Sequence, residues 1–256
     1  MIIGRIVVAL VFVGLAGNAS AGLKAFYTFE DSLNNVVGSS FHGIASNGPA
    51  FVAGYEGKAI GFDAASNQYV TFAGLDINPD VMPQITFGGW FLADSGATIQ
   101  GVLSHDDGDF DRTLDIDSRG DVVGWSAFTG NGVKGGLAVA PNVWTFMAVR
   151  HDQASGEFSL FVDGAKVAAT GVSFGRGQTS LTLGRNPSFD LPFSGRADNV
   201  FVFDELVSNQ RISDIRELKQ AALLPVPEPE TYALLLAGLG LLVAARARAA
   251  GVPVAA

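Results

Sequence analysis

Residues 144–167 read WTFMAVRHDQASGEFSLFVDGAKV, and this stretch decides the fold class. The runs 144–150 and 157–162 are short, rich in aromatic and β-branched residues, and bounded by turn residues, which is the pattern of β-strands. Asp163-Gly164 stands between strand-like flanks, and this dipeptide is the strongest local signal for a tight hairpin. The stretch therefore predicts antiparallel strands joined by short turns.

The same pattern recurs along the chain. Residues 85–92 (ITFGGWFL) and 198–203 (DNVFVF) are further strand-like runs, and Ser118-Arg119-Gly120-Asp121 predicts another turn. In the second run the two valines share one face of the strand and the two phenylalanines share the other. Turns at this frequency favour an all-β sandwich or barrel over a parallel α/β fold.

One short helix is predicted after the last strand. Ser208 is placed to cap its N-terminus, and Ile212, Ile215 and Leu218 then fall on one stripe at helical spacing. We therefore expect one side of this helix to pack on the sandwich.

Composition limits the function classes. The 256 residues include 16 Lys+Arg, 25 Asp+Glu and no Cys, which gives a net charge of −9. An acidic surface repels phosphate backbones and argues against nucleic-acid binding. Without cysteine there is no thiolate nucleophile and no disulfide, and His42, His105 and His151 lack the spacing of zinc ligands.

The first 21 residues have the layout of a signal peptide. Arg5 provides the positive n-region, residues 6–15 form an apolar stretch, and Ala19-Ser20-Ala21 is a small-residue cleavage site. A permanent anchor is the alternative, but an apolar run of about 10 residues is short for a bilayer that needs about 20. We expect export and cleavage before Gly22.

The C-terminal end has three parts. Residues 225–230 (PVPEPE) form a stiff spacer, because alternate prolines resist helix formation. Residues 232–245 (YALLLAGLGLLVAA) are uncharged and apolar, and Arg246 and Arg248 follow them. Arginines of this kind stay on the cytoplasmic side, so the segment is expected to insert with its C-terminus inside. A buried core helix is the alternative, but the run is apolar on every face.

This order resembles the PEP-CTERM sorting signal of Gram-negative bacteria that make exopolysaccharide. The motif residues are Val226, Pro227, Glu228 and Pro229, and Arg246 and Arg248 flank the apolar segment. The resemblance implies a transient membrane tether that the protease exosortase removes, and a destination in the cell envelope or extracellular matrix. We predict a signal peptide at 1–21, one domain at 22–224 and a sorting tail with a hydrophobic helix at 225–256.

The domain resembles the LamG-like, or concanavalin A-like, jelly-roll sandwiches. Seven short pieces carry the resemblance in one order, and they are residues 27–35, 57–63 with 69–70, 85–90, 144–149, 160–164, 183–184 and 195–200. The resemblance implies an antiparallel jelly roll that binds carbohydrate or protein, in many cases with a structural calcium ion. Carried onto this sequence, the calcium ligands are Glu30, Asn35 and Asp198.

A second acidic cluster, Asp106-Asp107-Gly108-Asp109-Phe110-Asp111, lacks the glycine and the bidentate glutamate of an EF-hand loop. We interpret it as a solvated hairpin tip. Trp125 and Phe128 are candidates for a sugar platform, although aromatic residues more often pack in a core.

One pair of residues keeps an enzymatic alternative open. Asp115 and Asp117 flank Ile116 on a predicted strand, so both carboxylates face the same way, about 6.6 Å apart along the chain. Retaining glycosidases use two carboxyl groups about 5–5.5 Å apart, so a secreted glycoside hydrolase is the alternative function. We instead expect these residues on the water-facing side of the strand. The sequence thus predicts an exported, non-catalytic surface module whose partners are exosortase and a polysaccharide or surface-protein ligand.

Overall fold

Sixteen strands form within residues 22–224, and turns and loops connect them. The computed structural model describes residues 22–224 and Arg246. Residues 22–224 form one unit with its own cores. The predicted signal peptide at 1–21, the motif residues Val226, Pro227, Glu228 and Pro229, and Arg248 lie outside the described residues. The strands are β1 Leu23–Tyr27, β2 Gly43–Ser46, β3 Ala50–Ala53, β4 Lys58–Phe62, β5 Tyr69–Phe72, β6 Gln84–Ala93, β7 Gln100–Ser104, β8 Thr113–Asp117, β9 Gly124–Phe128, β10 Val133–Leu137, β11 Trp144–Asp152, β12 Glu157–Val162, β13 Ala165–Ala169, β14 Leu181–Leu183, β15 Leu191–Pro192 and β16 Gly195–Phe203.

The strands form two sheets that pack face to face. Sheet A has the order β13-β12-β11-β6-β16-β4-β3, with β1 also paired to β16. Sheet B has the order β10-β9-β8-β7-β14-β5-β2, with β15 added parallel to β7. The other pairs in both sheets are antiparallel, which confirms the predicted all-β jelly-roll sandwich.

The predicted hairpin is present between β12 and β13. Asp163 and Gly164 have φ angles of 47° and 87°, and two positive values in succession are the signature of a turn whose twist matches the strands. The Asp163 side chain also accepts a hydrogen bond from the amide of Phe146 at 2.9 Å. This bond ties the turn to the neighbouring strand β11.

Strand β16 separates two apolar cores, as its alternation predicts. Val200 and Val202 face the main core between the sheets. Phe201 and Phe203 face the second core, which lies between the outer face of sheet A and the C-terminal helices. Sheet A is therefore covered on both faces.

Two helices follow β16, α1 at Asn209–Leu218 and α2 at Gln220–Leu223. Ser208 caps α1 by accepting a hydrogen bond from the Arg211 amide at 3.1 Å, as predicted. Ile212 and Ile215 are buried, but Leu218 is 58% exposed, so the predicted stripe is wrong at its last position. The helix ends at Leu218, and the chain changes direction at Lys219, which has a positive φ angle. Within the described residues, every helix falls short of the length and hydrophobicity needed to cross a bilayer.

Candidate functional site

Two acidic side chains of β8 project from the outer face of sheet B, and the alternation along this strand explains their direction. Leu114 and Ile116 enter the main core, so Asp115 and Asp117 project from the opposite face. Their shared orientation confirms the prediction. Both residues are nevertheless buried, so the expectation that they face water is wrong.

The burial comes from a loop far along the chain. Residues 185–190 cross β7 at Gly101, where an added Cβ would lie 2.1 Å from the Asn186 amide nitrogen. Gly101 is the register partner of Asp115, so this loop passes over the neighbourhood of that carboxyl group. The lack of a side chain at position 101 is what allows the loop to lie this close.

Asn186 joins the covering loop to the acidic loop 105–111. Its Nδ2 group donates to Asp106 Oδ2 at 2.8 Å, and its Oδ1 accepts from the Ser188 amide at 3.1 Å. Asp106 Oδ1 in turn accepts from the amides of Gly108 and Asp111 at 3.2 and 3.1 Å. The two loops are therefore held together through one amide group and one carboxylate.

The solvated-tip interpretation of residues 106–111 is wrong for two of its members. Asp106 is 3% exposed and Asp111 is fully buried, because their side chains organise the loop instead of facing water. Burial raises the pKa of Asp111 to about 6. Only Asp107 and Asp109 are exposed among the aspartates of this loop.

The two loops and the β8–β9 connection border a cleft of about 190 Å³ that is open to solvent. Its lining combines two carboxylates, one guanidinium and three aromatic rings, and consists of Asp106, Gly108, Phe110, Arg119, Phe128, Phe189 and Asp190. Phe189 is 51% exposed, so a large apolar ring is presented to solvent beside the carboxylates. The cleft thus brings aromatic rings and convergent polar groups together, and both kinds of group occur in ligand sites.

Arg119 is fixed at the centre of the cleft wall. Its Nε lies 3.0 and 2.9 Å from the two Asp117 oxygens, and its Nη2 lies 3.1 Å from Asp190 Oδ2. The hydrogen bond to Asp117 is the main cause that raises the pKa of this guanidinium. Its carbon Cζ also lies 5.6 Å from the centres of the Phe110 and Phe128 rings. Two of the three guanidinium nitrogens, Nε and Nη2, are thus engaged by carboxylates of this chain.

Asp115 is the most enclosed carboxyl group on this face. It is 0% exposed, and neither oxygen has a hydrogen-bond partner among the described residues. Burial raises its pKa well above the usual range, and Asp117 adds to this effect. A buried carboxyl group without partners favours the protonated, neutral form.

The predicted calcium residues divide into two places. Asp198 Oδ2 accepts from the Glu56 amide at 3.0 Å and Glu30 Oε1 accepts from the Lys58 amide at 3.0 Å, so both contact the β3–β4 connection. Asn35 instead accepts from the Phe26 amide and donates to the carbonyl oxygens of neighbouring residues. Its amide group is fully used in fixing the segment after β1.

The Asp198 environment is compatible in part with a cation. Its Oδ1 is buried without a partner, and burial raises its pKa to about 7. The side-chain oxygen of the adjacent Asn199 is likewise buried and unpaired. Within residues 22–224, however, no group of three or more His, Cys, Asp or Glu side chains is placed to hold a metal ion. Calcium at Glu30, Asn35 and Asp198 stays a prediction.

The sequence alone did not predict several of the residues at the cleft. Trp125 and Phe128 were the platform candidates, and both are buried in the main core, although Phe128 also lines the cleft. Phe189, Asp190 and Asn186 carried no local signal, because residues 185–190 show no strand or motif pattern. Only their long-range contacts with residues 101–119 make them part of a site.

Solved structures with the same fold include domains that are described as binding domains. Domain 4 of AbnA, a GH43 extracellular arabinanase from Geobacillus stearothermophilus solved with arabinotriose, is 18% identical with a TM-score of 0.60, and the match covers 76% of this chain and 98% of that one. The binding domain of Paraclostridial mosquitocidal protein 1 is 12% identical with a TM-score of 0.59, over 76% of this chain and 51% of that one. The receptor-binding domain of botulinum neurotoxin type G is 9% identical with a TM-score of 0.56, over 78% and 52%. The chain thus spans about half the length of the toxin domains, and at these identities the likeness shows the fold.

No curated protein matches the chain at a significant level. Residues 225–249 match the PEP-CTERM protein-sorting motif, which confirms the resemblance seen in the tail. Residues 63–213, more than half of the chain, match the family described as the concanavalin A-like lectin/glucanases superfamily. The cleft thus lies on a concanavalin A-like sandwich, and the protein is a member of that superfamily.

Proposed function

We propose that the protein is an exported, non-catalytic carbohydrate-binding module of the cell envelope, and that the cleft on sheet B is its glycan site. One observation carries the proposal: an exposed aromatic ring, Phe189, stands beside carboxylates fixed by Asn186 and Arg119. Aromatic faces pack on the C–H faces of sugar rings, and carboxylate oxygens accept hydrogen bonds from sugar hydroxyls.

The related structures support a binding role. The AbnA domain, which this chain covers almost completely, is described in complex with arabinotriose. A second neighbour, the binding domain of botulinum neurotoxin DC, is described in complex with SialylT. Both are modules that bind ligands for a larger protein, and we extend that role to this chain.

The geometry favours binding over the hydrolase alternative. Glycosidases need two carboxyl groups that both reach the scissile bond. Asp115 is completely enclosed, and Asp117 is engaged by Arg119 through two hydrogen bonds to Nε. Neither group is placed to meet a substrate in the cleft.

The tail gives the module its destination. The sorting motif at 225–249 supports exosortase processing and a place in the cell envelope. Leu224 ends the domain after α2, on the sheet A side, whereas the cleft opens on sheet B.

The proposal is tested with full-length protein purified in detergent and applied to a polysaccharide array. Phe189→Ala should weaken binding to the glycan that responds by about tenfold or more, because exposed aromatic anchors dominate binding energy. Phe51→Ala is the matched control, since Phe51 is also exposed but lies on β3 of sheet A. Equal loss in both variants, or no binding to any polysaccharide, would reject the cleft as a glycan site.

A further inference from the structure

We infer that the glycan taken by the cleft carries protonated amino groups, as a de-N-acetylated hexosamine polymer does. This inference rests on the proposed function and adds the chemical class of the ligand. It follows from how the charges in the cleft are already paired.

Three carboxylates face one guanidinium in the cleft wall. Asp106 and Asp190 line the cleft, and Asp117 lies behind Arg119. The Arg119 charge is shared by Asp117 and Asp190, so this group of two carboxylates and one guanidinium keeps a net negative charge. The Asp106 carboxylate is held by the neutral amide of Asn186 and by backbone amides, which satisfy its hydrogen bonds but leave its charge.

The surroundings add negative charge. Asp107 and Asp109 are exposed on the same loop as Asp106, and they form the rim of the cleft in the sense that they flank Gly108, which lines it. The lining and the rim together carry more carboxylates than guanidinium groups, and such an excess of negative charge in a cleft attracts cations.

The aromatic lining suits the same class of ligand. Phe110 and Phe128 already receive a cation, because the Arg119 guanidinium lies 5.6 Å from the centre of each ring. Phe189 presents a third ring, which is half exposed. Ammonium groups are attracted to aromatic faces within about 6 Å, so a sugar amine is favoured by both the carboxylates and the rings.

Glycans of other charge fit less well. A uronate would bring a further carboxylate close to Asp106 and Asp190, and like charges at short range are unfavourable. An N-acetylated sugar keeps its contacts with the rings but loses the ionic attraction. The three classes are therefore expected to bind in the order amine, N-acetyl, uronate.

The test compares three hexasaccharides of equal length on the full-length protein in detergent, by calorimetric titration. Hexaglucosamine should bind about tenfold tighter or more than the N-acetylglucosamine hexamer, and this advantage should shrink as salt screens the charges. A hexauronate should bind weakest.

Two variants locate the effect. Asp190→Asn removes a charge from the wall, and Asp107→Asn removes one from the exposed rim without touching the Arg119 pairing. Each should reduce the preference for hexaglucosamine by about two- to fivefold, as expected for partly exposed charges. Asp214→Asn, on α1 at the other side of the sandwich, is the control and should leave the preference unchanged.

The possible results separate the two proposals. If the N-acetylated or uronate hexamer binds as tightly as hexaglucosamine, and Phe189→Ala still weakens it, the glycan site stands and the amine preference is overturned. If EDTA abolishes hexaglucosamine binding and calcium restores it, a metal ion contacts the sugar and the inference is also overturned. If none of the hexamers binds, this inference and the glycan site both fail.

Discussion

Replacing His151 by Gln should make the stability of the domain less sensitive to acid. His151 and His105 flank Arg112, a fully buried arginine, and all three belong to the interior. His151 Nδ1 lies 3.2 Å from Arg112 Nη2, and His105 Nε2 accepts from the Arg112 amide at 3.2 Å. Since both arginine groups are donors, each histidine nitrogen facing them must be unprotonated.

The remaining ring nitrogens donate to carbonyl oxygens. His151 Nε2 lies 3.2 Å from the Val172 carbonyl oxygen, and His105 Nδ1 lies 3.1 Å from that of Gln178. Each ring thus has one neutral tautomer that satisfies both nitrogens. A second proton would point at a donor beside a buried guanidinium, and burial lowers the pKa of both histidines from 6.5 to about 4.

The sign and size follow from these values. The folded state disfavours the protonated form, so this contribution to stability is complete above pH 6.5 and is lost as the pH falls towards 4. One pKa unit corresponds to about 1.4 kcal/mol, so at pH 5 each histidine lowers the free energy of unfolding by about 2 kcal/mol.

Buried acids change stability in the opposite direction. The pKa of Asp111 is raised to about 6, so its protonation stabilises the folded state as the pH falls through that value. Wild-type stability alone therefore mixes both effects, and the informative quantity is the difference between the wild type and a variant.

The assay is urea unfolding at pH 7.5 and pH 5.0, with the free energy of unfolding extrapolated to water. Between these two values the wild type should lose about 2 kcal/mol more than His151→Gln, and about 4 kcal/mol more than a variant that also carries His105→Gln. The same exchange at the exposed His42 controls for the substitution itself. Parallel changes in the wild type and both histidine variants would refute the reasoning.

Three further predictions concern the loop at residues 185–190, the buried Asp115 and the predicted calcium residues. Gly101→Ala should lower the free energy of unfolding by about 1–3 kcal/mol and weaken glycan binding, because the new Cβ displaces Asn186 and its loop. Unchanged binding in the array would contradict the role of that loop. Asp115→Asn should raise the free energy of unfolding at pH 8 by about 1 kcal/mol or more, and this gain should shrink in acid as the native carboxyl group takes up its proton. A lower free energy of unfolding in the variant, measured by urea unfolding, would show that the carboxylate has a partner. If Glu30 and Asp198 hold calcium, the ion at about 100 times its Kd should stabilise the wild type by about 2.7 kcal/mol, and Asp198→Asn should abolish this shift in thermal melts with and without chelator.

Local chemistry explains what was predictable in the fold. The valines and phenylalanines of β16 divide between the two cores because successive side chains of a strand point to opposite faces. Asp163-Gly164 forms its turn because both residues accept positive φ angles, and Ser208 caps α1 because its oxygen reaches a free amide. Each of these features depends on residues within a few positions of one another.

The candidate site depended on contacts that no local pattern records. The sequence by itself placed Asp115 and Asp117 on one side of a strand and identified the sorting tail, because strand alternation and the order of the tail segments are readable along the chain. Only the tertiary structure decided that this side is covered, since Asn186 meets Asp106 across 80 positions and Arg119 meets Asp190 across 71. Periodicity fixes which way a side chain points, whereas burial depends on which distant segment folds over it. For that reason Asp106, Asp115 and Asp117, which were expected in water, are buried.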